Sequence, residues 1–460
     1  MDLNRIFDHP PATPQEILQS RVLRAVRQAE LLQKGHPCLI SFTLNIPGAT
    51  KQFSLAKAAF SVGLEELRQL FRDHIVEESC LEASTGNEGL LALSLPPEQA
   101  KRRTLHLEAH HPLGRLFDLD VLDKTCRSVS RAAFGLPPRQ CLLCKQSAKI
   151  CARAQTHSPD AVLLETIQIL NQYFRDRAAN EFAAHATRAL LYEVSVTPKP
   201  GLVDRTNSGS HRDMNFFTFL DSSAVLSHWF RDMVSAGWDG ASLPPAKLFS
   251  RLRFLGRQAE RDMFSATHGI NTHKGLIFSL GLLCGALGAA HSRSTPPLNL
   301  SEVLALCRDL GQCAMKDFAS CSTAEISNGL SCFYDFSITG VRGEASAGFP
   351  GAVDIGLPSL RKWTSKGLSI NNAAAITLVE LLAETTDTNM IHRGGIALAQ
   401  KRRDQARDIL AQLNPENFQA FLEQLDKQYI QENLSPGGCA DLLAISLMLF
   451  FLEEKALLSR

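Results

Sequence analysis

The period of the apolar positions changes part-way along the chain. From Thr13 to Gln33, Ile17, Val22, Leu23, Val26 and Leu31 recur at helical spacing, with Pro14 suited to a first turn and Thr13 to a cap. Cys38 to Gly48, CLISFTLNIPG, alternates and predicts a strand ending in a turn at Pro47-Gly48. Ser54–His74 reads as a helix, and Ala92–Leu95 and Leu105–Ala109 read as short strands. Within HPLGRLFDLDVLD, His111 to Asp123, the residues Leu116, Phe117, Leu119, Val121 and Leu122 predict a buried strand.

After the polar stretch His157–Asp160 the patterns turn helical. Ala161–Phe174 and Ala178–Tyr192 read as two helices, separated where Asp176-Arg177 breaks the apolar pattern. Further helices follow at Phe216–Ala236, Pro244–Ser265, Thr272–His291, Leu300–Ala314, Ala373–Thr385, Arg402–Leu413, Pro415–Asn433 and Asp441–Leu458. Gly281, Gly285 and Gly288 share one helix face, which predicts close approach of a neighbouring helix. The predicted architecture is two domains. Residues 1–175 form an α+β domain with a small sheet, and residues 176–460 form an all-α helical domain.

Composition narrows the class. With 45% hydrophobic and 21% charged residues over 460 positions, the chain reads as an ordinary soluble globular protein. A formal net charge of +1 argues against a broad nucleic-acid surface. The start, MDLNRIFDHPPATPQEIL, lacks the pattern of an export signal. The longest apolar run, Leu276–Ala290, is short for a bilayer and broken by glycines, so no membrane partner is expected. The 12 cysteines then read as reduced thiols in a cytoplasmic protein.

Chemistry concentrates in a few stretches. Asp118 and Asp120 stand two apart on the predicted strand, so both carboxylates share one face. Such a pair either holds Mg²⁺ against phosphates, with Arg115 beside Gly114 as a phosphate clamp, or is a solvated strand edge. Lys51 with Asn45-Ile46-Pro47-Gly48 either lines the same pocket or belongs to a plain strand-ending turn. Cys141, Cys144, Cys151 and His157 offer four zinc donors. Their spacing is not a common zinc pattern, and free thiols with a surface His are the simpler reading.

In the helical part the polar motifs fall between helices. EVSVTPKPGLVDRTNSGSHRDM, Glu193 to Met214, gathers Lys199, Asp204, Arg205, His211 and Asp213 around two prolines and two glycines. THGINTHKG brings His268, Asn271 and Lys274 to a helix start, where amide donors suit a phosphate. TGVRGEASAGFP carries Arg342 and Glu344, followed by Asp354. TTDTNMIHRGG carries Asp387, Asn389, His392 and Arg393, and SPGGCAD carries Gly437, Gly438 and Asp441. The recurrence of both charge signs suits a polyphosphate–Mg²⁺ complex.

Four of these motifs, TPKPGLVDRTNSGSHRDM, THGINTHKG, TGVRGEASAGFP and SPGGCADLLA, occur in an order that resembles the triphosphoribosyl-dephospho-CoA synthase family. SFTLNIPG, GRLFDLDV and CLLCKQSAKICARAQTH resemble the apo-citrate lyase phosphoribosyl-dephospho-CoA transferase family. The resemblance implies a nucleotidyltransferase-like first domain and a fused, bifunctional transferase. The helical domain would join ATP to 3′-dephospho-CoA with release of adenine, with Asp204 or Asp213 as the catalytic carboxylate and Lys199, Arg205 and Lys274 on phosphates. The first domain would transfer the product to a serine of the citrate lyase acyl carrier protein (the gamma subunit) and release pyrophosphate, using Asp118, Asp120 and Arg115. Two other readings are the equivalent system for malonate decarboxylase, and a non-catalytic scaffold for CoA-like nucleotides or the carrier.

Overall fold

A computed structural model describes residues 10–294, 296–316, 334–412 and 418–459. Met1 to His9 and the expected helix boundaries Leu413 and Pro415 lie outside the described residues. The chain divides into two compact units, residues 1–174 and 175–460. Each is described by itself.

The first unit is built on a four-stranded antiparallel sheet of order β2-β3-β1-β4, with β1 Cys38–Leu44, β2 Ile75–Leu81, β3 Glu88–Leu93 and β4 Phe117–Asp123. Helices Pro14–Gln33, Ser54–Leu70 and Pro97–His110 pack with it. Phe42 on β1 stacks on Phe60 with ring centroids 4.8 Å apart and meets Phe117 edge-on at 5.5 Å. The first helix opens on the capping box the sequence implies: the Glu16 carboxylate accepts from Thr13 N at 2.7 Å, and Thr13 Oγ1 accepts from Glu16 N at 3.2 Å.

Two expectations change here, and one strand, β2, was not expected at all. Leu105–Ala109 is not a strand but lies inside helix Pro97–His110. Pro97 starts that helix, and Ala100, Lys101, Thr104 and Leu105 form its buried i, i+4 face. β2 carries no apolar alternation to announce it, and it exists because β3 offers it a partner. On the first helix, Leu31 and Leu32 are buried, but Leu18, Val22, Leu23 and Val26 lie exposed.

The second unit is helical apart from a two-residue parallel ladder between Leu298–Asn299 and Leu458–Ser459. Its core is the pair Phe216–Asp239 and Lys274–His291. A Cβ on Gly237 would stand 2.0 Å from the Gly285 carbonyl oxygen, and one on Gly288 the same distance from that of Val234. The small residues thus allow the backbones to touch. Lys274–His291 is apolar and long enough to cross a membrane by composition, yet 78% of that window is buried inside the protein.

The two helices expected at Ala161–Phe174 and Ala178–Tyr192 are one, Pro159–Ser195. Arg175, Asp176 and Arg177 interrupt the apolar period but include no Gly or Pro to end a helix. TGVRGEASAGFP is not a plain connector. Gly340–Ala347 is a short helix, followed by a π-helical turn, Gly351–Gly356, and helix Leu357–Ser365. The fourth motif likewise opens helix Thr388–Gln412, whose regular path is interrupted at Gly395. The last long helix begins at Gly437, four residues before the expected Asp441.

Candidate functional site

In the first unit the pairing of β4 with β1 fixes the acidic pair. Asp118 lies opposite Thr43 and Asp120 opposite Ser41, while Phe117, Leu119 and Val121 turn into the core. The alternation leaves both carboxylates on the open face, with the Asp118 side chain 52% exposed. Asp118 borders a basin of about 390 Å³ shared with Arg21, Arg24, Lys51 and Glu88. The protein mass around it and neighbouring Asp120 raise the Asp118 pKa, which Arg139 and Arg24 oppose. Arg139 Nη1 stands 3.8 Å from Asp118, and Arg139 also pairs with Glu108 at 3.4 Å. Burial raises the Glu108 pKa despite that guanidinium.

Asp120 receives Ser128 Oγ at 3.4 Å and does not line the basin. Lys51 lines it but donates to the Ile46 carbonyl, and burial lowers its pKa. Arg115 is not brought there. Its Nη2 donates to the carbonyls of Gln140 at 2.6 Å and Cys141 at 3.2 Å. Arg24 and Arg139 are the guanidinium groups near Asp118, and Arg21 lines the same basin. Arg21 and Arg24 were legible as an i, i+3 pair on the first helix; Arg139 carried no local signal beyond its charge.

The four sequence-selected zinc donors do converge. One ligand atom from each of Cys141, Cys144, Cys151 and His157 lies within 4.8 Å of all the others. Among the described residues this is the one set of three or more His, Cys, Asp or Glu so gathered.

In the second unit, all five polar motifs contribute to one basin of about 990 Å³. Of the residues singled out in the sequence, Lys199, His211, Asp213, Asn271, Lys274, Arg342, Glu344, Asp354, Asn389, His392, Arg393, Gly437, Gly438 and Asp441 line it. Lys199 is 1% exposed and pairs with Glu193 at 2.5 Å, a residue sequence reasoning used only as the motif's boundary. The Gly201 turn that delivers Lys199 is held by Asp426, whose carboxylate accepts from Gly201 N and Asn207 Nδ2, each at 2.9 Å. Gly201 sits at φ +68°, with the Leu434 carbonyl oxygen 2.3 Å from where a Cβ would be.

His211 Nε2 lies 2.9 Å from Ser435 Oγ, and its Nδ1 lies 3.3 Å from Arg393 Nη2. Burial and Arg393 lower the His211 pKa. Two helix N-termini open on the basin, at Lys274 and at Gly437. Burial raises the pKa of Glu344, whose Oε2 accepts from Gly351 N at 3.1 Å. Burial and the charges of Glu193 and Asp387 raise that of Asp441 well above the carboxylate range.

Four selected residues have other work. Asp204 Oδ2 accepts from Lys199 N at 3.0 Å and Oδ1 from Thr206 N and Asn207 N, so its carboxylate folds the loop instead of facing the basin. Arg205 bonds Thr197 Oγ1 at 3.4 Å and Asn371 Oδ1 at 3.2 Å. His268 is exposed at φ +54° and does not line the basin. Asp387 ties two helix starts together: Oδ1 accepts from Asn389 N and Met390 N, and Oδ2 from Cys439 N at 2.8 Å.

His273 is the residue the sequence undervalued. It is 1% exposed, and its pKa is pushed down to about 3 by burial and Lys199, so the imidazole is neutral. Ser222 Oγ lies 2.6 Å from its Nδ1 and accepts from Thr272 Oγ1 at 2.8 Å. With Ser222 donating to Nδ1, the proton sits on Nε2, which has no partner among the described residues.

Comparison with known proteins agrees with the two-unit division. Residues 179–459 match the family model described as ATP:dephospho-CoA triphosphoribosyl transferase. Residues 12–173 match that of apo-citrate lyase phosphoribosyl-dephospho-CoA transferase. "Protein CitXG" of Haemophilus influenzae is 35% identical over 95% of this chain and 95% of its own length. "Protein CitXG" of Leuconostoc mesenteroides is 33% identical over 94% and 96%. The chain belongs to this fused transferase family. The 2-(5″-triphosphoribosyl)-3′-dephosphocoenzyme-A synthase of Pectobacterium atrosepticum is 39% identical and covers 64% of the chain with 96% of its own length, so the helical part also has free-standing relatives. In this chain the residues that match the triphosphoribosyl transferase model hold the large basin, and those that match the apo-citrate lyase transferase model hold Asp118.

Proposed function

We propose that residues 176–460 make 2′-(5″-triphosphoribosyl)-3′-dephospho-CoA from ATP and 3′-dephospho-CoA, releasing adenine. Residues 1–175, which we read as nucleotidyltransferase-like, then transfer it to a serine of the citrate lyase acyl carrier protein. The observation that carries this reading is the convergence of all five motifs, with both charge signs and two helix N-termini, on one basin of about 990 Å³.

In the first reaction the C1′–N9 bond of ATP breaks and a bond forms from C1′ to the 2′-oxygen of dephospho-CoA. Lys199, Lys274, Arg342 and the two helix starts hold phosphates. Asp441, with its raised pKa, takes the 2′-hydroxyl proton, which leaves finally on adenine. Asp213 or Glu344 faces the positive charge that develops on the ribose. The neutral His273 donates from Nε2 to a substrate oxygen. Asp204 drops out as a candidate, because its oxygens are engaged by the loop.

In the second reaction the carrier serine attacks the α-phosphorus and pyrophosphate leaves. Arg21, Arg24 and Arg139 supply the positive charge first sought in Arg115. Mg²⁺ fits both basins as an ion that takes one or two carboxylates and keeps water and phosphate oxygens as its other ligands. Asp118 with neighbouring Asp120 in the first unit, and Glu344 with Asp354 in the second, are oxygen donors of this kind; burial raises the pKa of Asp118 and of Glu344, and the charges of Asp120 and Asp354 add to it, a repulsion that a cation relieves. When bound, Mg²⁺ neutralises phosphate charge. Incubation with ATP, 3′-dephospho-CoA and Mg²⁺ tests the first step: free adenine is expected, and its absence overturns the synthase reading.

A further inference from the structure

We infer that Cys141, Cys144, Cys151 and His157 bind one structural Zn²⁺ that organises the segment holding Arg139 against Asp118 and Glu108. The ligand atoms are gathered as a tetrahedral ion requires. Cys144 Sγ lies 3.4 Å from Cys151 Sγ and 3.3 Å from His157 Nε2. Zinc bonds of about 2.3 Å to sulfur and about 2.0 Å to nitrogen imply ligand–ligand edges of roughly 3.5–3.8 Å. The sulfurs are too far apart for a disulfide, whose bond is about 2.05 Å.

The backbone presents these donors in two pieces. Cys141 and Cys144 sit on a turn closed by Cys141 N donating to Gln146 O at 2.7 Å, and by the antiparallel bridge of Gln140 with Ser147. Cys151 lies on helix Ala148–Ala154, which ends at Gln155 in the left-handed region and turns the chain back to His157. Three thiolates and one imidazole fill all four positions. No position is left open for substrate, so the site is structural, not catalytic.

The segment needs such a centre. From residue 124 to residue 158, Cys151 is the one buried residue, so no hydrophobic core fixes it. Yet it carries precise contacts. Arg139 Nη2 donates to the carbonyls of Gly114 and Phe117, and Arg115 reaches back to Gln140 and Cys141. An ion at the turn's far side fixes where Arg139 begins, and so where its guanidinium stands beside Asp118.

The test is metal analysis of the full chain purified without added metal. One zinc per chain is expected, with Cys144→Ser losing it and Cys313→Ser, a half-buried thiol elsewhere, keeping it. Removing zinc from the wild-type chain should expose three further thiols to titration and speed amide exchange across residues 124–158. It should slow carrier modification at least tenfold while adenine release stays unchanged, which separates this proposal from the synthase reading. A chain purified with its thiols reduced and less than a tenth of an equivalent of zinc overturns the proposal. So does a disulfide among these cysteines in the purified protein. Should Cys144→Ser not fold, the wild-type zinc content and the thiol count decide alone.

Discussion

The two basins hold their charges differently. In the first unit the key carboxylate, Asp118, sits on an open strand face, half exposed, with guanidinium groups reaching toward it from helix and loop surfaces. In the second unit Lys199 and Glu193 are almost wholly buried, and the loop that brings Lys199 to Glu193 is laced to Asp204 and Asp426. An exposed site separates chemistry from stability, because its charges are solvated with or without their partners. A buried site joins the two, because each charge is tolerated only while its partner remains.

The largest expected effect follows from that difference. Lys199→Met strands the Glu193 carboxylate, so stability should fall by about 3–5 kcal/mol in denaturant melts and adenine release should be lost. Adding Glu193→Gln should restore most of the stability and none of the activity. A single variant that melts like wild type would break the contrast. Asp118→Asn should do the reverse. Carrier modification should drop about 100-fold, an order of effect seen on losing one transition-state contact, with the melting midpoint unchanged.

Asp387 sharpens the same comparison inside the helical unit. Since it caps two helix starts, Asp387→Ala should cost about 1–2 kcal/mol of stability by thermal melt. Asp213→Asn, whose side chain is 61% exposed, should leave the melt unchanged and lower adenine release. The effect that vanishes at neutral pH is a pH slope. The folded pKa of His273 lies near 3, below the ordinary 6.5, so the unfolded chain binds the extra proton in between. Its contribution to stability is therefore present above pH 6.5 and lost as pH falls toward 3. His273→Gln should flatten that acid limb by up to about 1.4 kcal/mol per pH unit in urea melts. An unchanged limb would remove the buried neutral imidazole from the account.

Much of this was legible in the sequence because local rules carried it. The Thr13 cap, the β1 and β4 strands, the glycine face of Lys274–His291 and the glycine- and charge-rich motifs all announce themselves within a few residues. What was not legible depends on partners far along the chain. Whether Asp204 faces substrate or its own loop is decided by which amides the turn presents, and whether Asp387 binds ligand or caps is decided by where Cys439 arrives. Arg115 and Arg139 are alike as residues; Arg115 is held on the carbonyls of Gln140 and Cys141, whereas Arg139 reaches the carboxylates of Glu108 and Asp118 as well as backbone carbonyls. Nothing in THGINTHKG sets His273 apart from His268, because burial and the contact with Ser222, 51 residues earlier, fix its state.

The most direct test of two separable basins is the mass of the apo-carrier after incubation with the Asp118→Asn chain, ATP, 3′-dephospho-CoA and Mg²⁺, with adenine followed in the same tube. The account predicts adenine release at the wild-type rate and a carrier that keeps its unmodified mass. A carrier that gains the phosphoribosyl-dephospho-CoA mass as fast as with the wild-type chain would contradict it.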